Sequence, residues 1–292
     1  MVEGYQKYII KTISYIVLAL IAICCIVPFV IVISSSFSTE DAIVNYGYGI
    51  FPREISLDGY RTVFQNSTTL WRAYGITILT TAVGSVLSIL IISMTAYPLA
   101  RKDYTPRRGV SFYLYFTMLF SGGAIPLYIL ITQYLHLRNN ILVLIIPMLM
   151  NVWNVFVLRT YFASIPTALI EAAKIDGASE FRTFFTIIMP MSVTGVSTIF
   201  VLIVMAYWNS WYECLMYMTR EEIITLQYFL QRTMSNINDM MTNKSGLIST
   251  SEVPSETARM AMCVLAAGPM IFVFMFFQKY FAKGINMGSV KG

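Results

Sequence analysis

Charge is scarce in this sequence. Of its 292 residues only 12% are Asp, Glu, Lys or Arg, whereas 57% are hydrophobic and the mean hydropathy is +0.67. An average soluble domain carries about 25% charged residues, and half that share cannot cover a soluble globule of this size. A soluble enzyme, a disordered chain and a nucleic-acid binder are thereby excluded, and the membrane class is left. Histidine is nearly absent: His136 stands alone, so neither a metal cluster nor a Ser-His-Asp triad has its parts. Of the four cysteines, Cys24 and Cys25 adjoin inside an apolar run, and Cys214 and Cys263 are isolated. Without a CxxC pair, neither a zinc site nor a disulfide framework is implied. The dipeptide Gly-Lys does not occur, which removes the phosphate-cradling Walker A loop, and no GxSxG, HExxH or GxGxxG pattern stands out.

What is present is apolar length. A bilayer core is about 30 Å thick, so a spanning helix needs about 20 apolar residues. Six charge-free stretches reach that length: 12–36, 73–100, 109–135, 139–158, a fifth within 190–212, and 260–278. The first follows Lys7 and Lys11 but is longer than a signal-peptide core, and no small-residue cleavage site follows it. It reads as an uncleaved signal anchor. No Asp, Glu, Lys, Arg or His lies inside any of the six. Proton-coupled carriers and pumps usually need such groups at depth, so that class is disfavoured. Sodium coupling through backbone carbonyls stays open.

Charge orients the spans. With the N-terminus in the cytoplasm, the inner segments hold twelve of the twenty basic residues and five of the fifteen acidic ones. The outer segments hold the remaining eight basic and ten acidic residues. Basic residues collect in cytoplasmic loops, so both termini are expected inside. The short RKDYTPRR turn at 101–108 carries most of the weight. Two outer segments are long. Residues 37–72 contain FPREISLDGYRTVF. Residues 214–258 contain the amphipathic ITLQYFLQRTM, then a polar run to Pro254 that reads as an exposed loop.

The segment between the fourth and fifth spans is the most informative. From Arg159 to Pro190 it reads RTYFASIPTALIEAAKIDGASEFRTFFTIIMP. Pro166 suits a helix start, and the stretch Thr167 to Asp176 contains good helix formers, with a small face of Ala168, Ala172 and Ala173. Gly177 is a natural stop, and Ser179 can cap a second short helix before Pro190 begins the fifth span. Glu171, Lys174 and Asp176 offer polar contacts to a partner, and the alanines let its backbone approach.

This pattern resembles the EAA loop of ABC-importer membrane subunits: E-A-A, three residues, Gly, nine residues, then I-x-L-P. Glu171-Ala172-Ala173, Gly177, Ile187 and Pro190 stand at that spacing, with Met189 in place of the usual leucine. FPREISLDGYRTVF, SGGAIPLY in the third span, YWNSWYE in the fifth and the C-terminal QKYFAKGINMGSVKG are similar to the carbohydrate branch of the family, the maltose-permease type and its oligosaccharide subgroup. The resemblance covers essentially the whole chain. It implies an all-α membrane protein of the type I ABC importer permease fold, with six transmembrane helices in one domain over 1–292 and both termini cytoplasmic.

The same resemblance implies a non-catalytic subunit in a bacterial cell membrane, acting on a carbohydrate. Its implied partners are a homologous second permease, two ATPase subunits, an extracytoplasmic binding protein and membrane lipid, with no nucleic acid. No cofactor is implied on this chain, since ATP and its magnesium sit on the ATPase. The loop over 164–190 would be the coupling element, with Glu171, Ala172, Ala173, Asp176 and Gly177 docking on the ATPase. Sugars present apolar C–H faces and many hydroxyls, so aromatic and amide groups in the spans are the candidates for their path. These are Asn151, Trp153 and Asn154 in the fourth span, and Tyr207, Trp208, Asn209, Trp211, Tyr212 and Glu213 in and just past the fifth. Trp and Tyr also gather at membrane interfaces, and Asn also joins helices. A permease for a non-sugar solute, a sodium-coupled carrier and a membrane-anchored structural protein are the competing readings.

Overall fold

Away from water, a long run of Leu, Ile, Val and Phe satisfies its backbone only by closing hydrogen bonds within itself, which means helix. The computed structural model describes residues 2–65, 67–243 and 255–288. Among them the regular elements are helical, apart from a one-residue bridge between Ser38 and Ile55. In order they are α1 (Val2–Ser36), α2 (Glu40–Tyr46), α3 (Asp58–Phe64), α4 (Ser67–Ala100), α5 (Arg107–Leu119), α6 (Ala124–Ile129), α7 (Val152–Ala163), α8 (Thr167–Ile175), α9 (Glu180–Thr183), α10 (Met189–Met191), α11 (Val193–Trp208), α12 (Tyr212–Tyr217), α13 (Leu226–Asn243) and α14 (Ser255–Gly288). Wider π-type turns extend α6 over Leu130–Tyr134 and α9 over Phe184–Ile188, and tight 3₁₀ turns cover Ile141–Leu144 and Ile146–Met148.

Among the described residues three helices are long and apolar enough to cross a membrane: Ile10–Ser36, Thr68–Ala100 and Glu256–Gln278. The other three apolar runs are bent pairs of helices. Arg107–Leu119 and Ala124–Tyr134 meet at 106°, Ile141–Met148 and Val152–Ala163 at 49°, and Glu180–Met191 and Val193–Trp208 at 85°. The first break is the stretch Phe120–Gly123, where Gly123 has φ +88°, and a proline lies at or beside each of the other two, Pro147 and Pro190. A proline ring removes one backbone donor and clashes with the preceding turn, so the helix yields there. The polar run after ITLQYFLQRTM is a correction. It is not all loop, because α13 continues to Asn243. No glycine or proline stands between Leu226 and Asn243 to stop it. The rest of that run, 244–254, and the last residues of the C-terminal motif, 289–292, lie outside the described residues.

The chain divides into two compact units. The first comprises Met1–Ser67 and Leu230–Pro269. Its anchor is Glu40. The Glu40 carboxylate accepts the backbone N–H of Glu256 at 2.9 Å, the N–H of Thr257 at 3.0 Å and the Thr257 hydroxyl at 3.0 Å. A carboxylate at a helix N-terminus satisfies donors that the helix cannot and meets the positive end of its dipole. The FPREISLDGY motif is ordered locally: Asp58 accepts from the Ser56 hydroxyl at 2.6 Å and from Arg61 at 2.9 Å.

The second unit comprises Thr68–Phe229 and Met270–Gly292. Its core lies where α4, α7 and α11 meet. Ile92, Leu99, Val155, Leu158, Ile188 and Ile199 are at most 1% exposed there. The face of α4 that enters this unit is lined with small residues, Thr77, Thr80, Gly84, Ser85, Ser88 and Ser93, all buried. Small side chains let helix backbones approach, and their hydroxyls close on neighbouring carbonyls. Ile165 belongs to this core and Ile170 packs against it, so the segment around α8 is held from below.

Candidate functional site

The site grows from one turn. Pro166 precedes α8 with φ −57° and ψ 126°, and the helix runs for nine residues. It ends in a Schellman turn: the Gly177 N–H donates to the Lys174 carbonyl at 3.0 Å and the Ala178 N–H to the Ala173 carbonyl at 2.9 Å. Gly177 has φ +73°, where any side chain would be strained. The Ser179 hydroxyl then accepts the Arg182 N–H at 3.3 Å and starts α9.

This geometry sorts the expected docking residues. Glu171, Ala172, Asp176 and Gly177 are exposed. Ala173 is not: it is 6% exposed and turned into its own chain, so its side chain is not on the surface with the other four. Two apolar side chains that the motif did not single out stand at the tip. Ile175 is 86% exposed and Phe181 is 65% exposed. An Ile beside an EAA triplet carries no sequence signal of its own; only the turn shows that it points outward.

Beside α8 lies a compact group of charges. The Arg101 guanidinium forks onto both oxygens of Asp103, with Nε donating at 2.8 Å, and Nη1 reaches Glu180 and the Tyr97 hydroxyl, the latter at 3.0 Å. The Tyr97 hydroxyl donates to Glu180 at 3.0 Å, and the Lys174 ammonium lies 2.9 Å from Asp103 and 3.8 Å from Glu180. The Arg101 and Lys174 hydrogen bonds hold the Asp103 carboxyl well below the usual carboxylate range. The same bond to Asp103 leads the upward push on Arg101. The sequence reading took Arg101, Lys102 and Asp103 only as markers of topology. A groove of about 450 Å³ runs past this group and is lined by Arg101, Lys102, Arg107, Arg159 and Lys174, with Asp103 and Glu171 as its acids.

The aromatic and amide candidates are not gathered in one place. Asn151 caps α7, its side chain accepting the Asn154 N–H at 3.2 Å, and Asn154 itself is buried. Tyr207 and Trp208 are 1% and 5% exposed, and the Tyr207 hydroxyl donates to the Ile145 carbonyl at 2.9 Å. Asn209 donates to the Met205 carbonyl at 2.9 Å and accepts from Gln227 at 3.3 Å. Glu213 is half-buried and accepts from the Ser210 hydroxyl at 2.6 Å. Trp153, Trp211 and Tyr212 keep exposed faces, and Trp211 meets Tyr212 edge-on at 6.2 Å. Most of the amide and carboxylate groups therefore already have work within the fold, and three rings are left presented outward.

Comparison with known proteins decides the class. The model of the family described as "binding-protein-dependent transport system inner membrane component" matches residues 74–287. The chain belongs to this family. Among curated relatives it is 34% identical over 275 residues to the polygalacturonan/rhamnogalacturonan transport system permease protein YtcP of Bacillus subtilis, covering 94% of this chain and 96% of that one. It is 28% identical over 257 residues to the arabinooligosaccharides transport system permease protein AraQ of the same species, covering 87% and 86%. Among solved structures, a chain of a bacterial ABC transporter involved in the import of the acidic polysaccharide alginate superposes with a TM-score of 0.79 at 28% identity, covering 94% of this chain and 98% of that one. This family member is thus an ABC-transporter permease, a membrane subunit that does no catalysis, and ATP hydrolysis resides on a separate subunit. Permeases of this family work with a second permease, an ATPase and a binding protein.

Proposed function

We propose that this permease translocates a carbohydrate, an oligosaccharide handed over by an extracytoplasmic binding protein, across a bacterial inner membrane at the expense of ATP. One observation carries the substrate class. Several relatives that match this chain along most of their length are named for sugar polymers or oligomers. Nothing favours the non-sugar permease or the sodium-coupled carrier over this reading.

In this reading the chain crosses the membrane six times, three times as single helices and three times as bent pairs, with both termini in the cytoplasm. The segment 164–190 lies on the cytoplasmic side and α8 is its coupling helix. Glu171, Ala172, Asp176 and Gly177 form the surface that meets the ATPase, with Ile175 among them as the exposed apolar side chain that docking would take out of water. Ala173 supports that surface from beneath. Trp153, Trp211 and Tyr212 offer the sugar path its stacking faces, and Asn151, Asn154, Trp208, Asn209 and Glu213 hold those faces in place. ATP and its magnesium stay on the ATPase.

The test is reconstitution. The chain is co-expressed with a second permease, an ATPase and a binding protein, purified by a tag on this chain, and placed in proteoliposomes. Expected are co-purification of all three partners and uptake of oligogalacturonides or arabinooligosaccharides that requires ATP. Uptake driven by a sodium gradient without ATP, or a chain that brings down no ATPase, would overturn the reading.

A further inference from the structure

We propose that Arg101, Asp103, Lys174 and Glu180 form a latch that fixes α8 to the end of α4, so that a push on α8 moves α4 instead of flexing the turn at Gly177. This rests on α8 being the coupling helix, as proposed above.

The turn is closed by its own two hydrogen bonds alone. Apart from the adjoining residues, no atom lies within 4 Å of where a Gly177 side chain would begin, so no other element braces it there. Apolar packing grips α8 weakly too: the one buried side chain on the helix is an alanine, Ala173, helped by the half-buried Ile170. A helix held only so would swing about its glycine, and a partner's movement would be dissipated there. The charges supply what packing does not. Lys174 stands three residues before Gly177 and Glu180 three residues after it. Both are tied to the same pair, Arg101 and Asp103, which directly follow the last turn of α4. The latch therefore spans the turn and clamps both of its arms to one transmembrane element.

The centre of the latch is well placed to bear load. Isolated surface ion pairs contribute little, because water screens them and long side chains must be ordered. Arg101 differs. Its side chain is only 10% exposed, while the two carboxylates it meets, Asp103 and Glu180, are 55% and 57% exposed. Its planar fork meets Asp103 with two bonds and Glu180 and Tyr97 with a third nitrogen. A pre-organised guanidinium with several acceptors loses less freedom per bond than a lysine would. Tyr97 belongs to α4 itself and packs its ring against Phe184 at 5.5 Å, so the same helix end is tied once more to the segment after the turn.

The experiment uses the reconstituted transporter and reads two quantities, basal ATP hydrolysis and sugar moved per ATP, with labelled oligogalacturonides and arabinooligosaccharides as the probe. Glu180→Gln and Asp103→Asn change half-exposed side chains by one atom's identity and keep their shapes. Both are expected to assemble with the ATPase and hydrolyse ATP at the basal rate, yet to move less sugar per ATP by a factor of about five or more, the low end of ordinary coupling between sites. Arg101→Lys, with its charge but no fork, should fall between them and the unmodified chain. An unchanged ratio in both variants would overturn the latch. So would loss of the ATPase from the purified complex, since the residues would then be docking groups. Failure of the unmodified complex to use ATP at all would strike the underlying reading and carry the latch with it. A purely structural role would lower the yield of complex and leave the ratio untouched.

Discussion

The ring of Tyr207 on α11 lies so close to Gly84 on α4 that a β-carbon at position 84 would stand 2.5 Å from its Cε1 and Cζ atoms. The hydroxyl of the same ring donates to the Ile145 carbonyl at 2.9 Å and lies 3.2 Å from the Ser88 hydroxyl. One side chain thus joins α4, α11 and the 3₁₀ segment. Gly84→Ala forces the ring or the helix to move, an overpacking that costs about 1–3 kcal/mol. Tyr207→Phe keeps the ring and loses only interhelical hydrogen bonds, which average about 0.6 kcal/mol within membranes. Thermal unfolding of the detergent-solubilised complex should therefore rank Gly84→Ala as the more damaging change. The reverse ranking would show that the contact is loose.

The two central alanines of the EAA triplet should part company. Ala172 is exposed and Ala173 is buried. Ala172→Arg should leave thermal stability within about 0.5 kcal/mol, as surface substitutions usually do, while weakening co-purification of the ATPase. Ala173→Leu should do the opposite first, lowering the stability of the chain by about 1–3 kcal/mol through overpacking. Equal effects of both on ATPase binding, with no stability difference, would put both side chains on the docking surface.

These two alanines also show where the sequence was readable and where it was not. The turn at Gly177 was legible because one glycine between helix formers and a serine cap has a local physical meaning. Which alanine faces inward was not, since it depends on where Ile165 and Ile170 meet α7 and α4. The apolar runs marked six stretches, but hydropathy is blind to direction, so the bends at Phe120–Gly123 and beside Pro147 and Pro190 appear only in three dimensions. Arg101, Asp103, Lys174 and Glu180 are scattered over 80 positions. Their meeting is a product of the fold; counting charges by segment placed all four on the inner side and could not show that they touch.

Asn151 and Trp211 offer a contrast on the proposed sugar path. The Asn151 side chain caps α7, so Asn151→Ala should cost about 1 kcal/mol of stability and Asn151→Asp should retain it, with little change in the KM for uptake. Trp211 presents an exposed ring. Trp211→Ala should raise the uptake KM or lower the rate, because a sugar face loses its stacking surface, with stability nearly unchanged. Kinetics of ATP-dependent uptake in proteoliposomes separate the two. If Asn151→Ala alone changes the KM, the path runs past α7 and not past Trp211.

The latch should be insensitive to pH as built and sensitive once rebuilt. The Asp103 carboxyl is held below its ordinary value of 3.8 by hydrogen bonds from Arg101 and Lys174. A carboxylate depressed by folding contributes fully above its unfolded value, and that contribution is lost only as pH falls through the lower folded value. Between about pH 5 and about pH 8 this carboxylate stays charged, and sugar moved per ATP should stay flat so far as it depends on Asp103. Lys174→His changes that. An imidazole beside two carboxylates is favoured in its charged form, which raises its value above the ordinary figure of about 6.5. The charge, and with it the Lys174 side of the latch, is present at lower pH and lost as pH rises through that raised value. The variant should therefore couple better at about pH 6 than at about pH 8, whereas the unmodified chain shows no such difference. Parallel pH profiles of the two would mean that position 174 carries none of the coupling.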